Sequence, residues 1–202
     1  KNASVDRDVF ALFILNDVYF ARVVAQDSGS GIKMFERANT RGRPLTFTDK
    51  LKSLLIGSAS VADAAEVIKN WSTTVANLRS VGRYNARQFL YGLASEFGDD
   101  DKPLRASTAL EFARKQVRSH GALKCSSSLN DFSQAVARIA SGRTPRGNHP
   151  CGSLQNLLRF SKFSQLVRVL PAARFLPEED FVKLAMEVEN TVCVVAIAKA
   201  FP

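Results

Sequence analysis

Residues 35–52 read Phe-Glu-Arg-Ala-Asn-Thr-Arg-Gly-Arg-Pro-Leu-Thr-Phe-Thr-Asp-Lys-Leu-Lys. One helix is expected to stop in this stretch and another to start. Asn39, Arg41 and Gly42 fall at the stop, Gly42-Arg43-Pro44 turns the chain, and Thr46 stands where a new helix is capped, with Asp49 in its first turn. A turn between helices brings free backbone N–H groups next to the guanidinium forks of Arg37, Arg41 and Arg43, a combination that suits an anion. The plainer reading of the same residues is a helix–turn–helix joint with solvated arginines.

Downstream of Thr46 the pattern is helical. Phe47–Ile56 forms the first helix, with Gly57 as its stop. Val61, Ala65, Ile68, Val75 and Leu78 make an apolar stripe, extended by Trp71. The aromatic-rich run Tyr84–Phe97 ends at Gly98, and Asp99-Asp100-Asp101 with Pro103 makes a loop. Ser107 opens a helix to His120 with Leu110, Ala113 and Val117 on one side. Ser128 opens another to Ser141, with Leu129, Phe132, Val136 and Ile139 inward. Residues 142–152 (GRTPRGNHPCG) are the clearest break, because three glycines and two prolines oppose regular structure. Ser153 then caps a helix bearing Leu154, Leu157, Leu158 and Phe163, which Pro171 ends or kinks. Pro177, at a first helical position, and the acids Glu178, Glu179 and Asp180 mark the last helix start, continued inward by Phe181, Leu184, Val188, Val192 and Val195.

Upstream the reading changes. Asp8–Leu15 fits a helix or a buried strand, and Val18–Ala25 is rich in β-branched and aromatic residues, which favours a strand. The Gln26–Gly31 run is a turn, and Asp27 or Ser30 caps the short helix after it. A lone strand leaves its backbone unsatisfied and implies a sheet partner. The expected fold class is therefore mainly α: a short truncated α/β segment over 1–57 carrying the Asn39-x-Arg41-Gly42 motif, then a multi-helix domain over 58–202.

The stretch from Asp17 to Ile56, about a fifth of the chain, resembles the late part of the N-terminal domain of GmrSD-type, modification-dependent restriction endonucleases. That family shows a strand, a helix ending in Phe-Glu-x-x-Asn-x-Arg-Gly-x-x-Leu, then Thr-x-x-Asp and a Leu-Lys pair. Here these are Val18–Ala25, Phe35, Glu36, Asn39, Arg41, Gly42, Leu45, Thr46, Asp49, Leu51 and Lys52. The family's upstream Asp-Gly-Gln-Gln-Arg motif, associated with nucleotide hydrolysis, has no counterpart here, nor has its C-terminal His-Asn-His nuclease. The chain opens Lys1-Asn2-Ala3 without an initiator Met, and the expectation is an internal piece of a longer restriction or phage-defence protein. The resemblance implies that Asn39, Arg41, Gly42, Arg43 and Lys52 serve a nucleotide or phosphate. It also implies a nucleotide and Mg²⁺ in the full-length protein, with no cofactor in this chain.

The 202 residues carry 28 Lys and Arg against 19 Asp and Glu, a formal net charge of +9 and a pI near 9.8. Long-range attraction then favours anionic partners, nucleic acid first. Three widely spaced cysteines, Cys125, Cys151 and Cys193, do not make a disulfide framework. The apolar Phe181–Phe201 segment is interrupted by Lys183, Glu187, Glu189, Asn190 and Lys199, which argues against a membrane span. A reducing, cytoplasmic setting is the simplest expectation.

Constellations for chemistry are sparse. Neither His120 nor His149 has a recognisable nucleophile partner, and the His/Cys spacings do not match a structural zinc site. Gly29-Ser30-Gly31 is only a weak phosphate loop. What remains is basic. Arg37, Arg41, Arg43, Lys50 and Lys52 form one cluster. Arg138, Arg143, Arg146, Arg159, Lys162, Arg168 and Arg174 form a second, the expected nucleic-acid-binding set. The 14 phenylalanines are read as core before stacking platforms. Two function classes follow: a non-catalytic helical portion bracing an upstream nucleotide-handling site and contacting DNA, or an independent nucleic-acid- or protein-binding helical module.

Overall fold

A computed structural model describes residues 6–19, 24, 31, 34, 45–98, 108–159 and 170–200, with side chains of the last helix through 194. The helices are α1 (Arg7–Asp17), α2 (Phe47–Ser58), α3 (Ala64–Ser80), α4 (Ala86–Phe97), α5 (Ala109–His120), α6 (Ala122–Ala140), α7 (Gly152–Arg159) and α8 (Glu178–Ala200), with a 3-10 helix at Leu170–Phe175. The protein is mainly α, as expected. Among the described residues there is no strand, only an isolated bridge between Arg143 and Pro150.

The spine is α6. Its 19 residues span ~28 Å, enough to serve two apolar clusters in succession. Cys125, Leu129, Phe132 and Val136 face a first core, closed by Leu51 and Leu55 of α2, Val67, Trp71 and Leu78 of α3, Phe89 and Leu93 of α4, and Ala113 and Val117 of α5. Ile139, near its end, enters a second core of Cys151, Leu154 and Leu157, Leu170, and Phe181 with Ala185 of α8. Trp71 stacks on Phe89 with ring centroids 5.0 Å apart. α4 lies close against α6 at Gly92, where a Cβ would stand 2.9 Å from Leu129 Cδ2 and 3.2 Å from Phe132 Cδ1. Gly121, at φ +83°, is the single residue between α5 and α6, and its conformation lets one helix end and the next begin at once.

Several local readings hold. Thr46 caps α2 through the Asp49 N–H at 3.2 Å, while the Asp49 carboxylate accepts from the Thr46 N–H at 2.9 Å. Gly98 caps α4, and Leu129, Phe132, Val136 and Ile139 are all buried.

Others need correction. α6 begins six positions before Ser128, at Ala122. Ser128, read as the start, lies buried inside the helix, and its neighbours Ser126 and Ser133 donate from Oγ to the carbonyls of Leu123 and Asn130 within their own turns. Of the expected stripe, Trp71 and Leu78 are buried and Val75 packs against the core, but Val61 is 99% exposed and Ile68 46% exposed, and Val67, Asn70 and Thr74 face inward in their place. Polar residues occupy that face because α6 answers them. Asn70 Nδ2 donates to Ser126 Oγ at 3.3 Å, and Asn77 Nδ2 donates to Ser133 Oγ at 3.0 Å. α7 starts at Gly152, so Ser153 lies within it, and Leu158 is exposed. Pro177 precedes α8, its carbonyl accepting from the Phe181 N–H at 2.9 Å.

At the N-terminal end Asp8–Leu15 is helical. The Asp6 carboxylate accepts from the Asp8 N–H at 3.0 Å, and no residue of α1 is buried. Val18, Tyr19 and Val24 are not in a strand, and the rest of the expected Val18–Ala25 strand lies outside the described residues. The expected segment boundary at 57 falls in the last turn of α2, whose Leu51 and Leu55 belong to the core of the helices that follow.

Candidate functional site

The expected break at 142–152 is an ordered loop. The Cys151 N–H donates to the Gly142 carbonyl at 2.9 Å, and the Thr144 N–H to the His149 carbonyl at 2.8 Å, closing the loop on itself. Thr144 Oγ1 donates to Glu178 Oε1 at 3.0 Å, tying the loop to the start of α8. Arg138, in the last turn of α6, donates from Nη1 to the Pro145 carbonyl at 2.6 Å and the Arg146 carbonyl at 3.2 Å. Arg143 Nη1 donates to the Asn148 carbonyl at 2.8 Å. Two arginines of the expected DNA-binding cluster thus brace the loop that carries a third, Arg146.

This loop, α6 and the 3-10 helix enclose a cleft of about 250 Å³. Arg138, Arg146 and Arg174 line it, together with Asp131 and Gln134 of α6 and the ring of Phe175. Arg174 is the fixed element. It is only 3% exposed, donates to Ser95 Oγ at 2.8 Å, and pairs with Glu96 at 3.0 Å. Its guanidinium carbon lies 4.0 Å from the centre of the Phe175 ring, which is 48% exposed. Burial lowers the Arg174 pKa from its ordinary value, while Glu96 and Asp131 hold it up and Arg146 adds to the lowering. Three cations from three elements thus converge on one concavity, with Asp131 inside it and Glu96 behind Arg174.

The remaining expected site residues do not join this group. Arg143 and Arg159 are exposed and do not line the cleft. Lys52 is exposed on α2 and Lys50 is half-buried there. Asn39, Arg41, Gly42, Arg43, Arg37, Lys162 and Arg168 lie outside the described residues, so the turn they were read from is not described.

Three features escaped the sequence reading. Asp131, Gln134 and Arg138 stand at helical spacing on one face of α6, a signal the spacing itself carried. Phe175 was counted with the core phenylalanines, and nothing local separates it from them. Arg114, Lys115 and Arg118 are exposed together on α5, with Arg114 and Arg118 one turn apart.

The nucleophilic and metal candidates are accounted for structurally. Burial pushes the Cys125 thiol up to about 11, against a smaller opposite effect of Lys124. His120 stacks on Phe97 with centroids 4.4 Å apart. His149 approaches Glu178 at 4.0 Å, and Glu178 already accepts from Thr144. Among the described residues, no group of three His, Cys, Asp or Glu side chains is placed to hold a metal ion, and no helix is long and apolar enough to cross a membrane. No family model, no curated protein and no solved structure matches the chain.

Proposed function

We propose that this chain is a non-catalytic, helical nucleic-acid-binding portion of a larger GmrSD-like restriction or phage-defence protein. The observation that carries the binding role is the convergence of Arg138, Arg146 and Arg174 on one cleft. Guanidinium forks at fixed separation suit phosphate oxygens, and the chain's +9 charge would draw a polyanion toward them. The basic face of α5 adds a second surface for phosphates.

The larger setting is supported by α1. Phe10 is 55% exposed and Phe13 51% exposed on a helix with no buried residue, and an apolar helix of this kind calls for a covering partner. The GmrSD resemblance supplies one: an upstream domain of the same protein, whose nucleotide-handling site would receive Asn39 and Arg41. Nucleotide and Mg²⁺ belong to that domain, and the parent would be a nucleotide-dependent restriction endonuclease.

DNA binding by the full chain, followed by fluorescence anisotropy across a salt series, tests the reading. Affinity should fall steeply with salt, and Arg146→Ala should weaken binding and flatten the log–log slope by about one, the contribution of one phosphate contact. Affinity that does not change with salt, or an Arg146→Ala variant binding like the parent, removes the proposed interface. In the longer protein, Arg41→Ala should reduce nucleotide binding; if it does not, the bracing role is lost while the DNA-binding role stands.

A further inference from the structure

We propose that the cleft between α6, the 142–152 loop and the 3-10 helix takes a single unpaired nucleotide, with its base against the Phe175 ring and its phosphate on Arg146 and Arg138. The inference rests on the nucleic-acid reading and narrows it to one kind of ligand.

Size is the first argument. About 250 Å³ lies below the ~300–1,000 Å³ typical of clefts for drug-sized ligands, so the space suits one nucleotide and not a length of duplex. A base inside a duplex is stacked between its neighbours and cannot enter such a concavity without leaving the stack.

The aromatic platform is the second. Phe175 lines the cleft, is about half exposed, and is held against a guanidinium that is itself fixed by Ser95, Glu96 and the Pro171 carbonyl. A half-exposed ring beside a buried cation is already ordered before any ligand arrives, so stacking a base on it costs little further side-chain entropy. A buried core phenylalanine would have no such open surface. Arg174 Nε, buried and without a hydrogen-bond partner, leaves one donor of this platform unsatisfied.

Polarity across the cleft is the third. Arg146 is exposed on the loop, and Arg138 presents a five-donor fork of which Nη1 serves the loop carbonyls. These are phosphate-binding groups. Asp131 and Gln134 line the same space one helical turn apart. A carboxylate accepts from the exocyclic amine of cytosine, whereas an unpaired thymine offers it only the ring N3–H, flanked by two carbonyl oxygens that repel a carboxylate. The site should therefore prefer a nucleotide bearing an amino group, dCMP above dTMP.

The experiment uses the full chain with a fluorescent single-stranded 12-mer, the matching duplex, and dCMP and dTMP as competitors. The single strand should bind more tightly than the duplex, and dCMP should displace it better than dTMP. Phe175→Leu keeps an apolar side chain and removes the ring. It should lose about tenfold in single-strand affinity, in the range of one lost base–aromatic stack, and lose far less on the duplex. Phe175→Tyr keeps the ring and should keep the binding, which separates stacking from a general effect on the fold. Equal affinity for single strand and duplex, together with an unaffected Phe175→Leu variant, overturns the nucleotide pocket while the broader nucleic-acid reading survives. Failure to bind either DNA at low salt overturns both.

Discussion

Arg174 and Glu96 meet at 3.0 Å across 78 residues of sequence, with the arginine almost wholly buried. Glu96 also pairs with Lys124 at 3.0 Å, so one carboxylate joins α4, the 3-10 helix and the start of α6. The pair therefore does more than place a cation at the cleft. It ties the element linking α7 to α8 onto the first core, and Arg174 extends the contact by lying 5.6 Å from the Phe132 ring centre.

Removing the acid leaves the buried guanidinium without its paired carboxylate, with only Asp131 to offset its charge. Glu96→Gln should destabilise the fold by about 3 kcal/mol, near the lower end for breaking a buried pair, because the Glu96 side chain retains 16% exposure. Arg174→Met should cost less, since an apolar side chain of similar length needs no partner there. The double variant should be more stable than the sum of the two single losses predicts. Urea unfolding of the four proteins checks this, and simple additivity would mean that the pair contributes no coupling.

These contacts also mark how far the sequence could be read. Thr46, Gly98 and the inward face of α6 were legible because a cap or an apolar period is a local signal. Asn70 and Thr74 were not, since a polar residue reads as solvent-facing until its partner is known, and Ser126 lies 56 positions away from Asn70. Ser128 was misread as a helix start because serine is favoured at a cap and tolerated inside a helix; the helix instead begins after Gly121, at positive φ. At the candidate site the arginines were found from charge alone. Their convergence depends on a loop folding onto α8 through Thr144 and Glu178, which no spacing rule contains.

The three thiols should separate cleanly by reactivity. Cys125 and Cys151 are buried and Cys193 is half-buried, and burial has raised the Cys125 thiol to about 11. Only a thiolate attacks a disulfide reagent, so at pH 8 Cys193 should be modified first, with Cys125 protected by both burial and protonation. Titration with an aromatic disulfide should give one early thiol in the native protein and all three in guanidinium chloride. Rapid native modification of Cys125, located by peptide mass, would contradict its place in the first core.

Glu189 provides the pH dependence. Hydrogen bonds from Ser153 and Asn156 lower its pKa from 4.5, with desolvation acting weakly the other way, and the Asn156 Nδ2 donor lies 2.7 Å from Glu189 Oε1. The bond joins α7 to α8 beside the second core. A carboxylate with a depressed folded-state pKa stabilises the protein above its unfolded value, and that contribution is lost as pH falls through the folded value. Parent and Glu189→Gln proteins should therefore differ in urea midpoint at pH 7, with the parent more stable, and the difference should shrink as pH falls below about 4.5. The gap at pH 7 should be small, because the group is largely open to solvent and its charge is screened. A difference that persists unchanged at pH 3 would assign the effect to packing between α7 and α8, not to the ionised acceptor.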